Sequence, residues 1–381
     1  MEATQPTPAG TEPSPAAGEG GVTVVIPTFN ERDNLPVLIE RLHIALEAAG
    51  RPHELLIVDD ASPDGTAEAA RALAARFPIT VRVRTDERGL ATAMLHGIQH
   101  ARFDICVGMD ADLSHPPEVV PDLCMAVETG ARFALGSRYV AGGATRDWSP
   151  LRWLNSIGAT WLARPLTRVH DPMSGFFAVR RSEVAWADLN PIGYKIALEI
   201  LVKSRIDAPV EVPITFTDRL HGASKLDMSE RLRYLRHLER LYRWRFPFAT
   251  QLASFLAVGS VGMLVDFSVL TFAVEVLGWW FGFARILAFF AAVTVNFLLN
   301  DRFTFRSHER SGRPPAATRY LRFVGSCAVG LLVNWSTATA LYATVPLFQR
   351  YYVAAAFCGV VAGTSFNFLG SRAYAFGRAD A

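Results

Sequence analysis

Residues 105–117 read ICVGMDADLSHPP: an apolar run from Ile105 to Met109 that stops on two carboxylates, Asp110 and Asp112, one residue apart. A short β-branched run bounded by polar and turn residues is the signature of a buried strand. The same texture recurs on both sides, in VTVVIP from Val22, ELLIVDD from Glu54, TVRVRT from Thr80, FALGSR from Phe133 and VEVPITF from Val210. Amphipathic stretches such as NLPVLIERLHIALEAAG, from Asn34, lie between them. Strands alternating with helices predict an α/β fold, a mostly parallel sheet covered on both faces. Ligands of such sheets sit beyond the carboxyl ends of the strands, so motifs there are the place to look for chemistry.

The wider composition narrows the reading. The chain has 381 residues, 38 Lys+Arg against 36 Asp+Glu, and is 50% hydrophobic with 19% charged residues. A net charge of +2 gives no reason to expect nucleic acid. Cys106, Cys124, Cys327 and Cys358 are far apart and lack metal-site spacing, so they read as apolar groups in a reducing compartment. Residues 1–20, rich in Pro, Thr, Ala, Gly, Ser and Glu, read as a disordered tail. An α/β domain over 21–228 follows, then an Arg-rich segment over 229–247 and a membrane domain over 248–381.

Four apolar stretches define that last domain, at about Leu252–Leu277, Phe283–Leu299, Phe323–Val345 and Val353–Leu369. They approach or exceed the roughly 17–25 residues that cross a bilayer. Arg231, Arg233, Arg236, Arg240, Arg243 and Arg245 precede the first span; Arg302, Arg306, Arg310 and Arg313 lie between spans two and three. The positive-inside bias predicts that both termini and the α/β domain are cytoplasmic. Leu232, Leu235, Leu238, Leu241 and Trp244 alternate with these arginines, which predicts a helix lying along the anionic leaflet. The spans also repeat. VGMLVDF from Val261 matches VGLLVNW from Val329, and NFLLNDRFTF from Asn296 matches NFLGSRAYAF from Asn367. A duplicated hairpin follows, with Asp266, Asn296, Asn334 and Asn367 as intramembrane polar groups that face the bundle interior. Glue between helices and the lining of a ligand path both fit this pattern.

At the strand ends the residues suit phosphate chemistry. Two carboxylates at one point can hold a hard divalent cation, Mg²⁺ or Mn²⁺, which completes its shell with water and substrate phosphates. Asp59-Asp60 ends the second strand, where a carboxylate can bond a nucleoside hydroxyl or base edge. Ser62 and Asp64 next to it serve equally well as helix caps.

PTFNE from Pro27, DDASPDGT from Asp59, RGLATA from Arg88, DADLSHPP from Asp110, GSRY from Gly136, D-x-MSGF from Asp171, GYK from Gly193 and R-x-x-G-x-S-K from Arg219 occur in this order. Together they resemble the dolichol-phosphate (polyprenol-phosphate) mannose synthases, inverting glycosyltransferases of the GT-A fold. The C-terminal repeat is similar to GtrA-like membrane domains. Phe29 stands where that family often has Tyr, and Ala91 where a second Gly is common. The resemblance implies that Pro27, Phe29, Glu31, Val58 and Asp60 hold the guanosine of GDP-mannose. Asp110 and Asp112, with the Ala111 backbone, hold the metal and diphosphate. Arg138, Arg219 and Lys225 clamp the diphosphate and the acceptor phosphate of a dolichyl or polyprenyl lipid, with Ser174 a further acceptor contact. Asp112, Arg138, Arg219 and Lys225 are thus the expected catalytic set. A lipid monophosphate is already mostly ionised at neutral pH, its second pKa being about 6, so no protein base is required. His115, His170 and His221 are therefore not expected to act as bases. A UDP-sugar donor, a membrane domain that also translocates the lipid-linked sugar, and assembly as a homo-oligomer stay open at this point.

Overall fold

The computed structural model describes residues 20–146, 148, 150–217, 228–305 and 314–376. The tail reading, Arg219, Lys225 and His221 lie outside the described residues, apart from Gly20. The chain forms two compact units, Met1–Arg245 and Phe246–Ala381.

In the first unit the strands are β1 (Val22–Thr28), β2 (His53–Asp59), β3 (Ile79–Val83), β4 (Ile105–Gly108), β5 (Phe133–Ser137), β6 (Ala144–Thr145), β7 (Phe177–Arg180), β8 (Val210–Pro213) and β9 (Thr215–Phe216). The helices are α1 (Leu35–Ala48), α2 (Thr66–Leu73), α3 (Leu90–Gln99), α4 (Val120–Glu128), α5 (Pro150–Ala163), α6 (Ile196–Lys203) and α7 (Met228–Arg245). Seven strands form one sheet in the order β3-β2-β1-β4-β7-β5-β8. Its pairings are parallel except those of β7, which runs antiparallel to β4 and β5. Every strand read from the sequence is present, although VEVPITF divides into β8 and β9.

Alternation along each strand sends successive side chains to opposite faces. Val24 and Ile26 pack with Leu38, Leu42 and Leu123 under α1 and α4. Val25, between them, packs with Met94, Ile98 and Ile200 under α3 and α6. A third cluster joins α5, α6 and α7 through Ala163, Leu198, Tyr234, Leu238 and Leu241. Half of the α7 apolar stripe is therefore spent on the protein: Leu238 and Leu241 are buried, whereas Leu232 and Leu235 stay exposed beside the arginines. Trp153, Leu154, Trp161 and Leu162 add an exposed apolar strip on α5, and α5 and α7 are joined by bonds from Tyr234 Oη to Ala159 O and Tyr242 Oη to Leu162 O.

Glu199 of α6 anchors this cluster electrostatically. It is fully buried and bonds Lys203 at 2.6 Å, His237 of α7 at 3.1 Å and the Asn190 N–H at 2.8 Å. Burial alone would raise its carboxyl, but the bonds from His237, Lys203 and Asn190 outweigh it and hold the pKa at about 2. A depressed carboxyl stabilises the fold above its unfolded value, and that contribution fades as pH falls from about 4.5 towards 2. We expect Glu199→Gln to remove this acid-dependent part, on the order of 2 kcal/mol. Thermal melts of the full chain between pH 7 and pH 3 check it: the variant should melt lower at pH 7 and lose less on acidification. Parallel pH profiles would contradict it.

The second unit contains α8 (Pro247–Thr271), α9 (Phe281–Leu299), α10 (Ala316–Thr344), α11 (Pro346–Arg350) and α12 (Tyr352–Gly370). With the π-helical turns that extend three of them, four helices among the described residues are long and apolar enough to cross a membrane: Pro247–Val276, Phe281–Thr304, Ala316–Thr344 and Tyr352–Ala375. The shorter two, at 24 residues, reach about 36 Å at 1.5 Å per residue, more than a hydrocarbon core. Each span starts before the apolar stretch read from the sequence, and the second and fourth also end beyond it, because helical bonding continues into aromatic and polar flanks.

The internal repeat is carried into three dimensions. Helices α9 and α12 have the same length, and both end in a π-helical turn, Asn300–Thr304 and Ser371–Ala375. Gly262 lies against the Asn296 amide and Gly330 against the Asn367 amide, so closely that a Cβ at either glycine would fall about 2 Å from the amide oxygen. Phe305 and Phe376, equivalent in the repeat, stack on each other at 4.6 Å. Around them equivalent contacts occur in pairs: Phe255–Phe368 at 5.5 Å with Phe297–Phe323 at 5.9 Å, and Phe255–Phe305 at 6.3 Å with Phe323–Phe376 at 5.9 Å. Two hairpins in the same orientation thus meet about a pseudo-two-fold axis, which for parallel repeats runs along the membrane normal.

Candidate functional site

The strand order reverses between β1 and β4, and the sequence motifs gather at the carboxyl ends of β1, β2 and β4 around that point. Each motif is followed by a non-glycine residue in the left-handed region: Asn30 after Phe29 (φ 62°), Ala61 after Asp60 (φ 51°) and Leu113 after Asp112 (φ 61°). Such residues cost of order 1–3 kcal/mol each and cluster where a fold aims side chains at a ligand.

At the end of β4, Asp112 is buried and its Oδ1 accepts bonds from the Ser114 amide at 3.1 Å and the Ser114 hydroxyl at 2.5 Å. Asp110 is half-buried, with the Cα of Gly175 beside its carboxylate; a Cβ there would lie 3.8 Å from Oδ2. His115 ties the turn together. Its Nδ1 accepts the Asp110 amide at 3.2 Å, and its ring stacks on Phe176 at 5.1 Å. Burial pushes the imidazole below its ordinary pKa, and the negative charges of Asp110 and Asp112 oppose that shift. With Nδ1 accepting a backbone amide, His115 braces the turn through one ring nitrogen. The donor set is hard oxygen, as Mg²⁺ or Mn²⁺ requires, and two protein carboxylates leave room for substrate phosphate. Among the described residues the one cluster of three His, Cys, Asp or Glu ligands is elsewhere, at His43, Glu47 and His53.

The expected nucleoside residues fall on neighbouring strand ends. Pro27 and Val58 face each other in register across β1 and β2. The Val58 side chain is fully buried in the core, so a nucleoside would meet its backbone. Phe29 is half-buried, with the Arg88 guanidinium 5.3 Å from its ring centroid. Glu31 accepts a bond from Asn34 Nδ2 at 2.7 Å, and its amide bonds Thr66 Oγ1. Asp60 is committed further than the sequence reading foresaw. Its Oδ1 takes Arg84 Nε at 2.8 Å and Nη2 at 2.5 Å, and its Oδ2 takes the Gly89 amide at 2.8 Å. It therefore fastens the segment carrying Arg88; a carboxylate offers about four acceptor sites, so a base-edge contact would share what is left. Asp59 is the internal brace, bonding Thr28 and Ser62. Asp64 accepts the Thr66 amide and hydroxyl in a local turn, Ser62 is bonded to Asp59, and the N-cap of α2 is Gly65 with no side-chain cap bond, so neither candidate caps the helix.

Arg138 differs most from expectation. Its Nε and Nη2 form a fork to fully buried Asp171 at 2.7 and 2.6 Å, and its backbone amide bonds the same carboxylate at 3.0 Å. The guanidinium also sits 5.0–5.3 Å from the centroids of Tyr139, Trp148 and Phe216. Two of its three nitrogens are thus turned to Asp171, from D-x-MSGF, rather than to a phosphate. Gly143 makes room for this strand end, because a Cβ there would lie 2.6 Å from Ser137 O. The following segment is pinned in part by the β6–β9 ribbon, in which Ala144 pairs with Thr215 and Thr145 with Phe216. Ser174 is buried, and its hydroxyl accepts the Phe176 amide at 3.2 Å, holding the MSGF turn.

Lys195, from the GYK motif, was not among the expected site residues. Its Nζ donates to Met173 O at 2.5 Å. Burial and the Arg138 charge pull its pKa down to about 8, and Asp110 and Asp171 oppose them. The GYK signal was visible in the sequence; its direction was not, because it depends on where α6 starts relative to the turn at Met173.

Residues 23–186 match glycosyl transferase family 2, and residues 254–379 match the GtrA/DPMS transmembrane domain. The chain is 41% identical over 322 residues to a dolichol-phosphate mannosyltransferase of Pyrococcus furiosus, a match covering 82% of this chain and 88% of that relative. It is 40% identical over 250 residues to the dolichol-phosphate mannosyltransferase of Saccharomyces cerevisiae, covering 63% of this chain and 93% of that one. It is also 40% identical over 233 residues to the polyprenol monophosphomannose synthase of Mycolicibacterium smegmatis, covering 58% and 86%.

Proposed function

From the premise that the chain belongs to the dolichol-phosphate mannosyltransferase family, membrane-embedded glycosyltransferases of the GT-A fold that move mannose onto a lipid phosphate, we propose that it takes the mannose from GDP-mannose and transfers it with inversion to a dolichyl or polyprenyl phosphate at the cytoplasmic membrane face. The observation that carries this reading is the two acidic residues at the carboxyl end of β4, Asp110 on the turn that His115 ties and Asp112 oriented by Ser114, at the switch point of the sheet.

In this reading Pro27, Phe29, Glu31, the Val58 backbone and Asp60 receive the guanosine, with Arg88 closing on it from the loop that Asp60 and Arg84 hold. Asp110 and Asp112 would hold Mg²⁺ or Mn²⁺, whose charge offsets that growing on the departing diphosphate. Arg138 holds the MSGF turn and its Ser174 through Asp171, and we assign Ser174, Lys195, Arg219 and Lys225 to the acceptor phosphate. Two anions are brought in line and neutralised, and no side chain has to remove a proton. Attack from the opposite face converts an α-linked donor into a β-linked lipid product. The exposed Trp and Leu strip of α5 beside the arginines of α7 supports docking against an anionic leaflet. The Arg bias of the loops supports a cytoplasmic transferase unit.

Side-by-side assays with radiolabelled GDP-mannose and UDP-glucose, using purified full-length protein and a polyprenyl phosphate, test the donor. Transfer from GDP-mannose is expected to exceed that from UDP-glucose by at least about 10²-fold, the discrimination available when buried polar groups of a site are left unpaired by the wrong ligand. Exclusive use of UDP-glucose would overturn the donor assignment.

A further inference from the structure

The membrane unit has an open cavity of about 350 Å³ between its two hairpins. Its polar lining is Asp266, Arg285, Asn296, Asn334, Thr364 and Asn367. Asp266 and Arg285 form an ion pair, and the buried Oδ1 atoms of Asn296 and Asn367 have no hydrogen-bond partner. Unpaired amide oxygens in a bilayer interior are costly.

The repeat separates packing from ligand chemistry at this site. Asn296 and Asn367 are equivalent, and each packs on an equivalent glycine, Gly262 or Gly330, so the fold itself needs them. The charges are different. Asp266 corresponds to Asn334 and Arg285 to Ala356, so the second hairpin packs without an ion pair. Phe289, also in the lining, corresponds to Val360. One half of a symmetric cavity thus has a carboxylate, a guanidinium and an aromatic ring that helix pairing does not require. From Arg285 to Asn296 the polar lining runs eleven residues along α9, roughly 16 Å.

We propose that this cavity binds a hexose. Its lining is charge-balanced, since Asp266 neutralises Arg285, which disfavours a phosphate dianion and suits an uncharged group rich in hydroxyls. Carboxamides, a carboxylate and a guanidinium together donate to and accept from vicinal hydroxyls, and the Phe289 ring offers a face to the C–H side of a sugar. The volume lies within the range of small-ligand pockets, roughly 300–1,000 Å³. The hexose can arrive on a membrane lipid or free; the mannosyl lipid of the proposed reaction is the natural lipid-borne form, and the choice of mannose as probe rests on that reading.

Cys327 is a free thiol in the cavity wall and reports on occupancy. Full-length C358A protein in nanodiscs would be labelled with a small maleimide and the rate at Cys327 followed by mass spectrometry. The probes are farnesyl-phosphoryl mannose, farnesyl phosphate and methyl mannoside. Labelling is expected to slow at least threefold with a mannose-bearing probe and not with farnesyl phosphate. The lipid probe acting alone identifies a lipid-borne sugar, and methyl mannoside acting equally well identifies a free one. Asp266→Asn with Arg285→Ala, which copies the second hairpin and so preserves its packing, should abolish the protection while mannosyl transfer in the same preparation persists. Equal slowing by farnesyl phosphate, slowing by none of the probes, or protection unchanged in the double variant would overturn the proposal. Protection in a preparation that transfers no mannose would instead overturn the reading of the transferase site.

Discussion

Asp112→Asn is expected to reduce mannosyl transfer at least about 10³-fold, a loss of about 4 kcal/mol of transition-state stabilisation. The substitution is nearly isosteric, and the asparagine oxygen can still accept the Ser114 amide and hydroxyl that now bond Oδ1. The turn through Leu113 should therefore persist, along with the melting temperature and membrane insertion. What disappears is one negative charge and one hard oxygen at the point where a divalent cation would meet the diphosphate. Turnover measured with Mg²⁺ and with Mn²⁺, beside a thermal melt, separates the two effects. Ser114→Ala is the graded control: it removes the hydroxyl that orients Asp112 but keeps the charge, and a loss of roughly 10–100-fold is expected from such an outer-shell partner. Ordinary turnover by Asp112→Asn with either metal would remove the metal assignment.

The sheet was legible because its strands are buried and uninterrupted. VTVVIP, ELLIVD and ICVGM need no partner to be recognised, and Val24, Val25 and Ile26 announce two covered faces by being apolar on both. β7 was missed because FAVR is four residues long and follows the MSGF turn, so its antiparallel direction is set by β4 and β5 rather than by its own pattern. β6 and β9 are two residues each, too short for any periodicity. In the site, acidic residues at strand ends could be read one at a time. Their partners could not: Asp60 meets Arg84 and Arg138 meets Asp171 across 24 and 33 residues of chain. An arginine read alone looks like a phosphate ligand, and geometry alone shows where its fork is aimed. The membrane unit was the reverse case. The offset between VGMLVDF and VGLLVNW already paired Gly262 with Gly330, and the contacts of Phe255, Phe297, Phe305 and their equivalents follow from that alignment.

Arg138→Ala should combine a large loss of activity with a large loss of stability, and the second effect distinguishes a pillar from a clamp. A phosphate clamp is free until substrate arrives, so truncating it costs turnover and little else. Arg138 is instead bonded three times to a carboxylate that solvent does not reach. Truncating the side chain leaves the buried Asp171 charge without its counter-ion, held only by the amide of residue 138, which costs about 3–5 kcal/mol. For a unit of this size that corresponds to roughly 10 °C in melting temperature. The MSGF turn would lose its anchor, and with it the placement of Ser174 and of the Lys195 amine that bonds Met173 O. Arg138→Lys keeps the charge but not the fork, so it should recover part of the stability and little of the activity. The double variant Arg138→Met with Asp171→Leu removes both charges and should restore much of the lost stability, as replacing a buried pair often does, while transfer stays low. Melts and turnover measured on the four proteins decide the matter. An Arg138→Ala protein that melts with the wild type yet transfers no mannose would make the residue a clamp after all, held by Asp171 only until a phosphate competes for it.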